Sequence, residues 1–274
     1  MTAPGRPYAE VIGDPVEHSL SPAIHGFWLE ALGIAADYRR RRVTRVEFPA
    51  YLVKKRGDPL WRGSNITMPL KLDAAMLADD DSDRVIGIGA ANLLVPRAGK
   101  IVAGNTDVGA VALLVERLAK AGARMDSIVL LGSGGAARAA LMGLHLLGLT
   151  DVRIQSRNLG EAYKLAVQFK LGEEPRDFDL PLECAGLINA TPLGMTGQPP
   201  FTLSIDAMPA TGWVYDFVTS PDPTALITRA AARGMKTVGG VDMLIEQAAE
   251  SFKLLFEKDA PRDKDAELRH RLKP

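Results

Sequence analysis

A glycine-rich segment at residues 127–147 constrains the fold of this chain more than any other part of it. The segment begins with the apolar run Ile128–Leu131, which has the composition of a strand buried on both faces of a parallel sheet. Three glycines follow within four residues, and the alanine- and leucine-rich stretch after them predicts a helix over 136–147. A strand, a glycine turn and a helix in this order are the setting of a dinucleotide-binding fingerprint.

The spacing of the small residues in the turn predicts a separate structural role for each of them. The pattern is G-x-G-x-x-A, a permitted variant of the fingerprint, with Ala137 in the last place. Gly132 would allow the tight turn, Gly134 would let the backbone approach a pyrophosphate, and Ala137 would let helix and sheet pack closely. The helix N-terminus would present free N–H groups and a partial positive charge to the phosphates. An ordinary βα turn that happens to be rich in glycine is the alternative.

Composition narrows the class of protein. The 274 residues are enough for one or two domains, and 47% of them are hydrophobic, which is ample for a packed core. The formal net charge is +0, so no electrostatic argument favours nucleic acid or an anionic membrane, and the charged runs 39–42 and 79–83 are predicted as solvated. Cys184, the single cysteine, rules out an internal disulfide and is predicted as a small buried residue. With no apolar run long enough to span a bilayer, the chain is predicted to be cytoplasmic.

The first polar stretch comes after a predicted strand over 8–12. The following apolar residues recur at helical spacing, so Ser21 is the predicted N-cap of a helix with Pro22 in its first position. Capping does not explain Ser19, which lies in the loop just past the strand end. Two hydroxyls at such a place could hold a polyhydroxylated or carboxylate ligand.

A second polar stretch, WRGSNITMPLK, covers residues 61–71. Asn65 and Thr67 lie at a predicted strand end, and Lys71 begins a helical segment over 72–77. Taken alone, the first two have the properties of turn residues, and Lys71 those of an exposed surface charge.

Polar residues also interrupt the apolar pattern further on. Asn92 lies in a predicted strand over 87–95, where a buried amide needs hydrogen-bond partners. Thr106 or Asp107 could cap the following helix, and a carboxylate is electrostatically favourable at a helix start.

The predicted strand Val152–Gln155 bears on the choice of nucleotide. An acid at its end would hydrogen-bond the ribose 2′-OH of NAD, whereas an arginine accommodates the 2′-phosphate of NADP. Ser156 and Arg157 follow the strand directly, and Glu161 comes shortly after. This arrangement favours NADP. Another predicted strand, at 185–188, runs into the polar loop 189–195, and ligands of open α/β sheets lie at such strand ends.

Together these stretches resemble the shikimate dehydrogenase family over nearly the whole chain. Seven motifs occur in the order of that family. They are GDPVEHSLSP (13–22), NITMPLK (65–71), GAANLLV (89–95), GNTD (104–107), GSGGAA (132–137), NATPLGM (189–195) and GGVDMLIEQAA (239–249).

The resemblance implies a two-domain α/β protein. Its substrate-binding domain would comprise residues 1–106 and 241–274, and a Rossmann-like, doubly wound parallel-sheet domain at 107–240 would bind the dinucleotide, with a cleft between the two. Members of the family reduce 3-dehydroshikimate to shikimate with NADPH in aromatic amino-acid biosynthesis. The expected ligand is therefore a shikimate-like cyclohexene carboxylate, with no metal, and the chain is expected to be a monomer or a homodimer.

The resemblance also assigns roles by motif position. Ser19 and Ser21 would bind the substrate carboxylate, Thr67, Asn92 and Gln247 would contact ring hydroxyls, and Lys71 and Asp107 would be the catalytic pair. A positioned ammonium can stabilise and protonate the alkoxide left by hydride transfer, and a nearby carboxylate can orient that ammonium. The expected cofactor-binding residues are Gly132, Ser133, Gly134, Gly135, Ala136, Ser156, Arg157, Asn189, Thr191, Met195 and Gly240.

Four positions depart from the family pattern. Leu93 stands where a threonine is usual, Gly26 where an asparagine is usual, and Thr219 where a tyrosine would contact the carboxylate. Glu161 replaces a second arginine and could repel a 2′-phosphate, so NAD is the alternative cofactor. These changes leave two other hypotheses open. One is a paralogue that uses NAD or both cofactors on quinate or a similar compound, and the other is a non-catalytic ligand sensor.

Overall fold

The computed structural model describes residues 5–272, which divide into two compact units. The first contains the described residues up to Thr106 and from Ile245 onward, and the second is Asp107–Leu244. Each unit is built on its own β-sheet. Within residues 5–272, no helix combines the length and the apolar character needed to cross a bilayer.

The elements alternate between strands and helices for most of the chain. The strands are β1 (Tyr8–Gly13), β2 (Asp37–Arg42), β3 (Trp61–Ile66), β4 (Asp80–Asp81), β5 (Leu93–Arg97), β6 (Lys100–Gly104), β7 (Ile128–Leu131), β8 (Val152–Gln155), β9 (Gly186–Asn189), β10 (Trp213–Asp216) and β11 (Lys236–Val238). The helices are α1 (Ser21–Ala31), α2 (Phe48–Arg56), α3 (Lys71–Leu77), α4 (Asp83–Ile88), α5 (Asp107–Lys120), α6 (Gly135–Leu146), α7 (Leu159–Phe169), α8 (Ala225–Ala232), α9 (Gly240–Phe256) and α10 (Asp265–Leu272).

The six-stranded sheet of the first unit has the order β2-β1-β3-β5-β6-β4. Strand β1 is parallel to β2 and β3, whereas β5 is antiparallel to both of its neighbours. The carboxyl ends of β1, β3 and β6 therefore lie at the same edge as the amino end of β5. That edge gathers the polar loops that follow Gly13, Ile66 and Gly104, together with Asn92, which directly precedes β5.

Close backbone packing holds two of these loops together. A Cβ atom at Gly13 would collide with the Thr67 side chain and lie 2.5 Å from the Met68 carbonyl oxygen. The Asp14 N–H donates to that carbonyl at 2.9 Å, and the Thr67 N–H donates to the Ile12 carbonyl at 2.9 Å. Because only glycine leaves room for this approach, the loops after β1 and β3 form one surface.

The sheet of the second unit is entirely parallel, with the order β11-β10-β9-β7-β8. Numbered from its own first strand, this is the doubly wound order 2-1-3-4-5 read from the opposite side. The predicted fold class is confirmed. The order reverses between β7 and β9, and ligands of such sheets bind at the carboxyl ends of the two strands that flank the reversal.

The predicted glycine turn lies at this reversal. Gly132 has φ +106°, and a Cβ atom on it would lie 3.3 Å from the Ala190 carbonyl oxygen. A residue with a side chain would be strained there in backbone conformation and in space. Gly134 precedes α6 with open space where a side chain would be, and Ala137 is fully buried. The strand, turn and helix predicted over 127–147 are all confirmed.

Two predictions for the middle of the first unit were wrong. The stretch 87–95 does not form one strand, because α4 occupies Asp83–Ile88 and β5 begins only at Leu93. Short apolar runs do not distinguish helix from strand by periodicity, which explains the error. The acidic run is not a simple loop either, since Asp80 and Asp81 form β4 at the edge of the sheet beside β6. Charged residues are common on edge strands because they discourage pairing with another chain.

Ser21 does not have its predicted capping role. The N-cap of α1 is Leu20, whose side chain forms no capping hydrogen bond. Ser21 is the first helical residue, so its hydroxyl is available for a contact elsewhere. The arginine run 39–42 is exposed as predicted, but it forms most of the edge strand β2, which was not predicted.

Candidate active site

Buried polar groups meet at the edge of the first sheet around Asn92. Its Nδ2 donates to Thr106 Oγ1 at 2.9 Å, and its Oδ1 accepts from the Thr106 N–H at 2.8 Å. Gln247 Oε1 lies 3.3 Å from Thr106 Oγ1 and 3.4 Å from Asn92 Nδ2. The structure therefore brings together the predicted residues Asn92 and Gln247. It adds Thr106, which sequence reasoning treated only as a helix cap.

A second polar cluster at this sheet edge contains Ser21, Tyr38 and Asn65. The Ser21 hydroxyl is hydrogen-bonded to the Tyr38 hydroxyl, and the Tyr38 O–H donates to Asn65 Oδ1 at 2.7 Å. Burial raises the pKa of Tyr38 well above its ordinary value, so the phenol keeps its proton. Within the described chain, the buried Asn65 Nδ2 has no hydrogen-bond partner. This amide is a donor that lacks an acceptor.

The loop that carries Ser19 is fixed from the edge strand. Arg40 donates two hydrogen bonds to the Ser19 carbonyl oxygen, from Nε at 2.9 Å and from Nη2 at 2.7 Å. The Ser19 Oγ in turn accepts from the Ser21 N–H at 3.3 Å. Arg40 therefore holds the predicted carboxylate-binding loop and adds a positive charge beside it. Sequence reasoning missed this role, because a run of arginines has no local feature that indicates a contact 21 residues away.

The proposed catalytic residues begin two helices. Lys71 is half-buried at the start of α3, and its carbonyl oxygen accepts from the Ala91 N–H at 2.8 Å. This bond ties the start of α3 to the residue before Asn92. Asp107 is buried at the start of α5 and directly follows Thr106. Because Lys71 and Asp107 belong to different units, their pairing stays a prediction.

In the second unit, the loops after β7 and β8 are joined by their serines. Ser133 Oγ and Ser156 Oγ are 3.0 Å apart, and Ser156 Oγ also accepts from the Asn158 N–H at 3.1 Å. Arg157 is exposed between these partners. With the tight turn at Gly132 and the open space at Gly134, this arrangement fits a dinucleotide, whose pyrophosphate needs close approach to the backbone.

An ion pair that was not predicted links the helices after these loops. Arg138, in the first turn of α6, pairs with Glu161, in the first turn of α7. Their side chains are only 17% and 24% exposed. Lys164 lies 3.5 Å from the other Glu161 carboxylate oxygen. Glu161, which stands where the family usually has a second arginine, thus has two cationic neighbours.

The predicted cofactor residues Asn189, Thr191 and Gly240 make structural contacts within the second unit. The buried Asn189 amide donates to Asp216 Oδ1 at 2.9 Å, and its Oδ1 accepts from Thr191 Oγ1 at 2.6 Å. Burial raises the pKa of Asp216. A Cβ atom on Gly240 would collide with the Val218 carbonyl. The Asn189 contacts shape the loop that also carries the half-buried Met195, and the cofactor roles of Asn189, Thr191, Met195 and Gly240 stay predictions.

Cys184 is buried, as predicted, and burial raises the pKa of its thiol to about 12. A thiol held protonated in this way is a poor nucleophile.

Comparison with known proteins gives consistent matches along the chain. The family model described as the shikimate dehydrogenase substrate binding domain matches residues 11–94, and the model described as the shikimate 5'-dehydrogenase C-terminal domain matches residues 240–267. A shikimate dehydrogenase (NADP(+)) of Sphingopyxis alaskensis is 43% identical over 265 residues, which cover 96% of each chain.

Solved structures agree with these matches. Shikimate 5-dehydrogenase from Thermus thermophilus, in complex with NADP(H) and shikimate, has a TM-score of 0.84 and 32% identity, covering 97% of this chain and 99% of the other. A quinate dehydrogenase from Corynebacterium glutamicum in complex with NAD has a TM-score of 0.84 at 28% identity, with the same coverage. This chain therefore belongs to the shikimate dehydrogenase family.

Proposed function

We propose that this protein reduces 3-dehydroshikimate to shikimate with NADPH, as a step of aromatic amino-acid biosynthesis. Residues 1–106 and 241–274 would bind the substrate, and residues 107–240 would bind the dinucleotide. The observation that carries the proposal is the buried, unpaired Asn65 amide beside Ser21, in a chain that is 43% identical to a shikimate dehydrogenase (NADP(+)). A buried donor without an acceptor calls for an explanation, and among the residues predicted to bind the substrate a ligand oxygen supplies one.

The carboxylate of the substrate is the acceptor that these groups favour. The Ser19 hydroxyl and the Asn65 amide would donate to its oxygens, the Ser21 hydroxyl would turn from Tyr38 to do the same, and Arg40 would contribute positive charge through the loop it holds. Hydrogen bonds to a charged partner are among the strong ones, so the carboxylate end would orient the ring. Thr67, Asn92 and Gln247 would then contact the ring hydroxyls, with Thr106 keeping Asn92 and Gln247 in position.

The reaction needs one hydride and one proton. NADPH, when bound, supplies the hydride that adds to the carbonyl carbon, and the carbonyl oxygen becomes an alkoxide. The Lys71 ammonium would stabilise this oxygen and give it the proton, while Asp107 would orient the ammonium. The neutral amine left on Lys71 then takes up a proton from solvent.

The second unit would hold the dinucleotide through its backbone and two loops. The N–H groups at residues 133–136 and the positive end of α6 would bind the pyrophosphate. Ser156 and Arg157, at the carboxyl end of β8, would contact the 2′-phosphate of the adenosine ribose.

Steady-state kinetics with shikimate and quinate, each with NADP and NAD, test this function. We expect the highest kcat/KM for shikimate with NADP, and kcat lowered about 10²–10⁴-fold in Lys71→Met, with NADPH affinity unchanged. Lys100→Met is the matched control, because Lys100 is an exposed lysine in the same unit. Equal kcat in Lys71→Met and the wild type would refute the catalytic role. Saturable shikimate binding without turnover would identify a sensor instead.

Quinate oxidation with NAD is the second candidate, favoured by the structural likeness to the quinate dehydrogenase and by Glu161. The Leu93 departure does not support it. Leu93 is fully buried in an apolar cluster with Ala9, Val95 and Leu255. A side chain buried there does not face a ligand, so the missing threonine hydroxyl does not remove a polar contact at the site. A kcat/KM for quinate and NAD above that for shikimate and NADP would establish this candidate.

A further inference from the structure

The ion pair between Arg138 and Glu161 lies where helices α6 and α7 of the second unit begin. Strands β7 and β8 are parallel neighbours that end together, with Leu131 opposite Gln155. Arg138 is the fourth residue of α6, which follows β7, and Glu161 is the third residue of α7, which follows β8. The pair therefore spans the two helix starts at the same sheet edge as Arg157.

Whether the Glu161 carboxylate is paired with a cation determines which nucleotide this position favours. An acid near the end of the second strand accepts a hydrogen bond from a ribose 2′-OH, whereas positive charge there accommodates a 2′-phosphate. An uncompensated carboxylate would repel the phosphate and favour the unphosphorylated nucleotide. Both oxygens of Glu161 instead have cationic neighbours, with Oε1 paired to Arg138 and Oε2 at 3.5 Å from Lys164.

Hydrogen bonds at the start of α7 hold Glu161 in its ion pair with Arg138. Its backbone N–H donates to the Asn158 side chain at 3.1 Å, which fixes the start of α7. Asn158 is in turn linked through its own N–H to Ser156 Oγ, which contacts Ser133. Arg138 and Lys164 are two cations on one carboxylate, so positive charge exceeds negative charge in this cluster by one. Because Arg138 and Glu161 are largely buried, solvent screens their interaction less than that of an exposed pair.

We infer that Arg138 neutralises Glu161 and thereby directs the second unit toward a 2′-phosphorylated dinucleotide. This inference rests on the proposed function, since it concerns the same cofactor. Arg138 acts here as a specificity-determining residue through Glu161. Removing Arg138 exposes the carboxylate, which then repels a 2′-phosphate and accepts from a 2′-OH.

Nucleotide fragments test the inference without turnover. Calorimetry measures the binding of 2′,5′-ADP and 5′-AMP to the full chain and to Arg138→Met, Glu161→Gln and the double variant. Arg138→Met should weaken 2′,5′-ADP about tenfold, within the range of coupled neighbours, and leave 5′-AMP within about twofold. Glu161→Gln should bind 2′,5′-ADP at least as tightly as the wild type. The double variant should recover most of the loss, because the carboxylate that Arg138 neutralises is gone.

Arg124→Met is the matched control, since Arg124 forms an exposed ion pair with Asp126 in the same unit. It should change neither affinity. An equal loss for both fragments in Arg138→Met would overturn the inference, because the pair would then only hold α6 against α7. A loss of 2′,5′-ADP affinity that persists in the double variant would also overturn it, because Arg138 would then contact the phosphate directly. A wild-type chain that binds neither fragment would overturn the proposed dinucleotide role as well.

Discussion

Ser64 and Asn65 are neighbours in β3, but they belong to two polar clusters with opposite properties. Successive residues of a strand point to opposite faces of the sheet, so the two side chains serve different surroundings. Ser64 Oγ lies 2.5 Å from the Tyr51 hydroxyl and accepts from Trp61 Nε1 at 3.0 Å. Asn65 has a partner for its oxygen, but its buried amide nitrogen has no partner among the described residues.

The cluster on the Ser64 face is closed. Glu10 and Lys55 are about 95% buried and form an ion pair of 2.7 Å, and Tyr51 donates to Glu10 at 2.9 Å. Lys55 also donates to the Tyr8 hydroxyl at 2.8 Å, and Tyr8 donates to Asp58. Burial and the neighbouring carboxylates raise the pKa values of Tyr8 and Tyr51. A buried network in which each charge has a partner makes one arrangement of the core more stable than its alternatives.

The cluster on the Asn65 face is open. Below Tyr38 lies His25, which is fully buried with its ring stacked at 4.0 Å on the tyrosine ring. Neither His25 nitrogen has a hydrogen-bond partner within the described chain. Unpaired polar groups cost stability unless a ligand completes them, and natural proteins tolerate such costs mainly at functional sites. The contrast teaches that burial of polar groups alone does not indicate a site, and that the Asn65 face differs from the Ser64 face in having an unpaired donor beside predicted site residues.

The largest expected effect comes from breaking the closed cluster. Lys55→Met leaves the Glu10 carboxylate buried without its cation, and we expect the free energy of unfolding to fall by about 3–5 kcal/mol. Urea denaturation measures this change, and KM for shikimate should stay unchanged. Lys54→Met is the control, because Lys54 is the exposed neighbour on the same helix. A loss below about 1 kcal/mol, equal to that of a surface ion pair, would contradict the closed-network interpretation.

The next effect separates the two faces directly. We expect Asn65→Ala to raise KM for shikimate about 10–100-fold, because a hydrogen bond to a charged group contributes about 1.5–3 kcal/mol. The adjacent Ser64→Ala should leave KM unchanged but lower the free energy of unfolding by about 1–3 kcal/mol, since Tyr51 and Trp61 lose a buried partner. Kinetics and urea denaturation of both variants measure the two effects. Similar changes in both variants would remove the distinction between the faces.

Local sequence patterns predicted those parts of the fold that depend on local interactions. The segment 127–147 folds as expected because a buried strand, a turn that requires glycine at 132 and an alanine-rich helix each have a short-range signal. The helix α4 and the edge strand β2 had no such short-range sequence signal. Their residues are charged or ambiguous, and their conformation is fixed by neighbouring elements.

The same limit applies to the candidate site. Ser19 and Asn92 could be selected because they are polar residues at strand ends, in motifs that the family shares. Tyr38, Arg40 and Arg138 could not, because each acts through a partner more than 20 residues away. The sequence therefore predicts which groups a site contains better than it predicts the residues that hold them.

The smallest expected effect concerns His25, which makes the open face sensitive to acid. Burial lowers the pKa of His25 from 6.5 to about 3, because the charged ring would lose its hydration. Between pH 6.5 and pH 3 the unfolded chain binds a proton that folded His25 does not, so this contribution to stability is complete above pH 6.5 and falls as the pH decreases. We expect about 1.4 kcal/mol less stability from this group at pH 5.5 than at pH 8.

Urea denaturation of the wild type and of His25→Phe at both pH values isolates this effect. The difference in free energy of unfolding between pH 8 and pH 5.5 should be smaller in His25→Phe by that amount, because a phenyl ring keeps the apolar stacking on Tyr38 without a titrating group. If the free energy of unfolding depends on pH in the same way in the wild type and in His25→Phe, water or a polar side chain reaches the His25 ring. The buried polar groups on the Asn65 face would then have partners, and the contrast with the Ser64 cluster would be lost.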